Sequence, residues 1–173
     1  MKRPTLGTIV MGVVGFVILI WLLGIVVYPA ENPSGIYTGK IISTTSDSIL
    51  RRACFDCHSN ETKFPWYYHL PFVRIKMGHS INEGREELNF SHWEQTSPSR
   101  RRKIFRESLE YMDKGEMPPT DYTFFHPDAK LSKEDITQIR QDILQAQSDG
   151  SIGVQSSGNN GDDDDEKEEN DKD

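Results

Sequence analysis

The chain has 173 residues with 20 Lys and Arg against 27 Asp and Glu, a formal net charge of −7. That charge is unevenly spread: from Ser148 onward the chain holds ten of the acidic groups and two of the basic ones, leaving 17 and 18 in a nearly neutral body. An acidic total with one short basic cluster excludes nucleic acid as an expected partner, and two cysteines are too few for a four-thiolate zinc site.

Leu6 to Tyr28 contains no charged residue over 23 positions. A helix of that length reaches about 34 Å, enough to cross a hydrocarbon core. A cleavable signal peptide would have an apolar region of only about 7 to 15 residues closing on a small-x-small site, which this stretch does not show. An uncleaved single-pass anchor is therefore expected over residues 1–30, with Trp21 and Tyr28 as interfacial anchors. Lys2 and Arg3 precede the span, and Glu31 comes before the first following cation, Lys40. By the positive-inside rule the amino terminus stays in the cytoplasm, and the rest faces the periplasm or exterior of the cytoplasmic membrane. Residues 31–45 read as a linker.

The run Ser46 to Ala53 reads as a capped helix leading into Cys54-Phe55-Asp56-Cys57-His58. Two thiols three residues apart can each add to a vinyl group along one edge of a porphyrin, while the next residue offers an imidazole to the iron. The spacing reads as the attachment site of one covalent c-type haem, with His58 as proximal axial ligand. A dithiol redox pair would call for a strand and helix of the thioredoxin type, which is not seen. A plain Cys54–Cys57 disulfide is the remaining alternative.

For the other axial position Met117 is the first candidate, in the loop Lys114-Gly115-Glu116-Met117-Pro118-Pro119, 59 positions after His58. Met/His ligation raises the potential and suits electron transfer. His79 is the alternative, within a helix expected from Pro71 to Leu88, and an open sixth site is a third option. His69, His92 and His126 read as surface or hydrogen-bonding residues, and Met77 and Met112 as core.

Ser97-Pro98 starts a further helix in which Ile104, Phe105, Leu109 and Met112 recur at helical spacing before Gly115. Its other face carries Arg100, Arg101, Arg102, Lys103 and Arg106, a solvated surface or a docking face for an acidic redox partner or anionic lipid. Ser132 and Asp135 form a capping pattern for a last helix with an apolar stripe of Ile136, Ile139, Ile143 and Leu144, expected to pack on the haem-bearing helix. The rings Phe64, Trp66, Tyr67, Tyr68, Phe90 and Trp93 are expected to form core and pocket together. Residues 46–147 would then be the haem domain and 148–173 a disordered acidic tail. No internal repeat, phosphate loop or Ser/His/Asp arrangement is present.

With these residues in view, the segment from Ser46 to Leu144 resembles a bacterial haem-binding domain family. The resemblance rests on Cys54-Phe55-Asp56-Cys57-His58-Ser59-Asn60-Glu61-Thr62, Pro65-Trp66-Tyr67, Gly84-Arg85-Glu86-Glu87-Leu88-Asn89-Phe90-Ser91-His92-Trp93 and Met117-Pro118-Pro119. It implies an all-α, small cytochrome c-like haem domain exposed outside the membrane, but no particular reaction. Electron transfer to and from redox partner proteins is the expected function, which would make the chain a carrier and not an enzyme. A haem-based sensor or small-ligand-binding module is one alternative. A peroxidase-like haem enzyme is another, though it would need distal acid/base groups that the sequence does not display.

Overall fold

The computed structural model describes residues 5–37 and 39–150, so the acidic run expected to be disordered lies outside the described residues from 151 onward. The described residues are helical with no strand, as the all-α expectation requires. The helices are α1 (Leu6–Val27), α2 (Thr44–Ala53), α3 (Phe55–His58), α4 (Pro71–Glu87), α5 (Pro98–Asp113), α6 (Thr120–Phe125) and α7 (Lys133–Ser148), joined in part by short 3₁₀ turns at Trp66–His69, Phe90–Gln95 and Pro127–Ala129.

Local sequence chemistry accounts for most boundaries. The Thr5 hydroxyl accepts from Thr8 N–H at the start of α1, a 22-residue helix that is long and apolar enough to cross a membrane. Ser43 caps α2, three residues ahead of the expected Ser46. Ser46 is instead fully buried, and its hydroxyl donates to the Asp142 carboxylate at 2.7 Å. α4 and α5 both begin on proline, where the missing N–H costs nothing. α5 ends as its glycine predicts: Gly115 takes φ +69°, its N–H donates to Met112 O, and Glu116 N–H donates to Tyr111 O. This Schellman arrangement turns the chain directly into the Met117 loop. Ser132 and Asp135 form the reciprocal capping box expected for α7.

One core joins α2, α3, α5, α7 and the Phe90–Gln95 turn. Ile49, Leu50, Phe55, Phe90, Trp93, Ile104, Phe105, Met112, Ile139 and Ile143 pack together, with Leu109 and Ile136 partly buried against them. Three expectations fail on burial. Leu144 is 59% exposed and Ala146 takes the inward position one turn on from Ile143. Trp66 is 79% exposed, not a core ring. Met77 is only half-buried. Tyr37 and Ile41, in the segment read as a linker, belong to the core. That segment is tied to α2, because Asp47 accepts from the Ile41 and Ile42 N–H groups at 2.9 and 3.0 Å and Arg51 donates to Tyr37 O at 2.7 Å.

α7 closes on α2 through polar contacts. Asp142 accepts from Ser43, Ser46 and Gln138, and Arg52 pairs with Asp135 at 2.6 Å. Burial alone would raise the Asp142 carboxyl pKa, but these hydrogen bonds together hold it below the usual range. A carboxyl depressed in the folded state stabilises the fold above its unfolded value of about 4 and loses that contribution as pH falls toward the folded value. Asp142→Asn is therefore expected to flatten the acid limb of a stability-against-pH curve measured between neutrality and acid. Ser46→Ala should cost about 1.5 kcal/mol in urea unfolding, the low end for a bond to a charged group because Ser43 and Gln138 still hold the carboxylate.

Candidate haem site

Cys54 stands between two helices: its N–H donates the last backbone bond of α2, to Leu50 O at 2.8 Å, and it caps the start of α3. Cys57 and His58 follow on the single turn of α3, their N–H groups donating to Cys54 O. The two thiols and the imidazole are thereby held on one short, hydrogen-bonded turn. Both thiols are free, and burial pushes them up, Cys54 to about 12 and Cys57 to about 11. Burial thus keeps both thiols in the protonated form at neutral pH.

His58 is oriented by α4. Its Nδ1 lies 2.7 Å from the carbonyl oxygen of Gly84 and 3.2 Å from that of Leu88. A carbonyl can only accept, so Nδ1 carries the proton and Nε2 keeps its lone pair, the arrangement of an imidazole prepared to ligate through Nε2. Desolvation lowers the His58 pKa against the opposing pull of the two carbonyls, which favours the neutral ring that a metal requires. The residues present therefore fit a haem: two thiols on one turn and one tautomer-fixed imidazole beside them.

The carbonyl of Gly84 reaches His58 only because α4 approaches α3 backbone to backbone. A Cβ on Gly84 would stand 2.8 Å from Cys57 O and 3.2 Å from Cys57 C, so no side chain fits there. The residues after Gly84 continue the same task. Arg85 donates to Ser59 O at 2.8 Å and to the Thr62 hydroxyl at 2.8 Å. Asn89 donates to the Asn60 side-chain oxygen at 2.9 Å, and the Ser91 hydroxyl accepts from Asn60 N–H at 2.9 Å. Phe90 stacks on Phe55 with centroids 5.0 Å apart and planes 10° from parallel. The two runs that carry the resemblance, Cys54 to Thr62 and Gly84 to Trp93, are thus one structural unit: the second clamps the first.

A second brace comes from α6. The Tyr122 hydroxyl donates to Asp56 Oδ2 at 2.7 Å, and burial together with that carboxylate pushes the phenol pKa up, so it remains a donor. The Tyr122 ring stacks on His126, whose Nε2 lies 3.3 Å from the Tyr67 hydroxyl. Sequence reading missed Arg85, Asn89, Ser91 and Tyr122 as supports of the motif. The first three carried a signal, since they stand within a recognisable run, but Tyr122 carried none.

Met117 lies in the loop between α5 and α6, 42% exposed, with its N–H donating to Tyr111 O at 3.3 Å. The loop leads within three residues into α6, the helix that is bonded to Asp56. His79 is on the exposed side of α4 and pairs with Glu83 at 3.1 Å. His69 and His126 make hydrogen bonds, and His92 is exposed. In the basic cluster, Arg101 donates to Trp93 O and lies over the Trp93 ring, and Lys103 pairs with Glu107.

Comparison with known proteins gives one finding. Neither the curated proteins nor the solved structures include a match to this chain. The family model of a haem-binding domain matches residues 21–144, spanning the motif, the clamp and the Met117 loop. The chain belongs to the haem-binding domain family.

Proposed function

We propose that this haem-binding protein is a membrane-anchored monohaem c-type cytochrome, with haem joined covalently to Cys54 and Cys57, His58 as proximal ligand and Met117 as the distal one. It would transfer electrons on the outer side of the cytoplasmic membrane. When bound, the haem supplies one-electron chemistry through its iron. The observation that carries the reading is the His58 ring, whose Nδ1 proton is committed to the Gly84 and Leu88 carbonyls so that Nε2 is the available donor.

What the chain's own residues contribute is rigidity. An electron carrier works best when its ligands do not rearrange between oxidation states, and the motif turn is fixed on one side by Arg85, Asn89 and Phe90 and on the other by Tyr122. Nδ1–H donation to carbonyls strengthens the imidazole as a donor and lowers the tendency of the ring to rotate. Met117 is favoured over His79 because α4 supplies the carbonyls on the Nδ1 side of His58. A ligand carried by that same helix, already paired with Glu83, would have to reach the opposite face. The length and apolar composition of α1 support anchoring through it.

The ligand set has a spectroscopic test. Ferric protein made in a host with haem-attachment machinery is expected to be six-coordinate and low-spin with a weak thioether-to-iron band in the far red. Met117→Ala should abolish that band and His79→Ala should leave it. High-spin iron that binds carbon monoxide readily would instead favour the sensing or peroxidase-like readings.

A further inference from the structure

α1 and α4 lie side by side, and the register of their contact fixes how deep the second helix sits. The Trp21 indole N–H donates to His69 O at 3.1 Å. A Cβ on Gly24 would stand 3.3 Å from Arg74 Cδ and 3.6 Å from Ile75 Cγ1, and Gly78 is packed directly on the Tyr28 side chain. The three contacts occur in the same order along both helices, so they run parallel, with residues 69–75 level with Trp21 and Gly24. Trp21 lies six residues before the end of the apolar helix at Val27, about 9 Å along its axis.

The chemistry of that level matches its depth. Trp66, Leu70, Phe72 and Ile75 are 79%, 48%, 65% and 37% exposed. Between Lys63 and Lys76 the only permanently charged side chain is Arg74, and it is buried. Its guanidinium donates to Tyr28 O at 3.0 Å, meets His69 Nδ1 at 2.9 Å and lies over the Tyr68 ring. Its two terminal nitrogens are thus bonded to protein partners while Nε has none, and a buried charge paired with a backbone carbonyl and a neighbouring side chain is the form found at membrane depth. Aromatic rings with flanking lysines are the composition of an interface belt.

We propose that residues 64–75 form an interfacial element that enters the lipid headgroup and upper acyl layer beside α1, and so sets the height and orientation of the haem site above the bilayer. The inference rests on the reading of α1 as a membrane anchor. The element packs against α1 through the Trp21–His69 and Gly24–Arg74 contacts and, like α1, exposes large apolar side chains, which selects lipid over a protein partner as its occupant. Gly84, the residue that holds His58, is nine positions beyond Ile75 on α4, about 14 Å farther along the axis. The motif is thereby held clear of the lipid, on the aqueous side from which a redox partner would approach.

The test is a nitroxide label at Phe72→Cys, at Phe16→Cys within α1 and at Ser99→Cys at the start of α5, each in the full haem-loaded chain in phosphatidylcholine vesicles. Collision with oxygen, which concentrates in lipid, is compared with collision with a water-soluble nickel chelate. The ratio is expected to be several-fold higher at Phe72→Cys than at Ser99→Cys and to approach that at Phe16→Cys. A lipid-exposed label at position 16 with a water-exposed label at position 72 overturns the interfacial element and leaves the anchor standing. Water exposure at both positions overturns the element together with the anchor.

Discussion

Replacing Cys54 and Cys57 together by alanine is expected to convert a haem that survives denaturing electrophoresis into one extracted fully by acidified organic solvent. The reason lies in how little else holds the cofactor. α3 is a single turn, and the imidazole it adds to the thiols is that of His58, while its carboxylate, Asp56, is bonded to Tyr122. Axial bonds from His58 and Met117 are lost when the fold is denatured, whereas two thioether bonds are not. Single replacements should leave one bond and retain haem on the gel. A double variant that still carried haem through denaturation would show that attachment lies elsewhere. A parent chain that released its haem would show that there is no covalent bond. The high pKa values of the two thiols, near 12 and 11, predict in addition that the haem-free chain reacts slowly with thiol reagents at neutral pH until it is unfolded.

The second large effect is expected at Gly84→Ala. One methyl group there collides with Cys57 O at 2.8 Å, a backbone atom that cannot rotate away. Relief requires α4 to move off α3, and that movement pulls the Gly84 and Leu88 carbonyls from His58 Nδ1. Overpacking of this kind costs about 1–3 kcal/mol, readable as a lowered urea midpoint of the haem-loaded chain. The imidazole would also lose its proton acceptors and donate less strongly to iron, so the reduction potential should rise. A merely structural role for Gly84 would lower the midpoint and leave the potential unchanged. Gly12→Ala, where a Cβ meets nothing within 4 Å, is the matched control and should leave both readings as they are.

The sequence was most legible where a feature is local. The bounds of α4 and α5, the Gly115 stop and the Ser132 capping box depend on residues a few positions apart, and they occur where proline, glycine and serine place them. The haem motif is equally local, three chemically committed residues in five positions. Legibility failed where the answer depends on a partner far away in the chain. Ser46 looks like a cap but is drawn into the interior by Asp142, 96 positions on, while Ser43 takes the capping role. Trp66 looks like a core ring, yet the 3₁₀ turn that carries it lies beside α1 and leaves it exposed. Leu144 has the right spacing for the α7 stripe but is left 59% exposed, while Arg140, one turn before it, pairs with Asp113 at the end of α5. Tyr122 had no pattern at all, because one hydroxyl aimed at one carboxylate leaves no periodicity.

The clamp occupies a middle ground. Gly84, Arg85, Asn89, Phe90 and Ser91 could be recognised as a run, and the packing of α4 on α3 explains why those residue types are needed. Glycine admits the Cys57 carbonyl, arginine and asparagine bind the turn that follows His58, serine receives the Asn60 N–H, and phenylalanine seats Phe55.

The most direct measurement is the mass of the peptide spanning Cys54 to His58, released by proteolysis from mature protein made in a host with haem-attachment machinery. That peptide is expected to carry one haem on its two sulfur atoms. Recovery of the same peptide with both thiols free, or with its sulfurs joined only to each other, would contradict it.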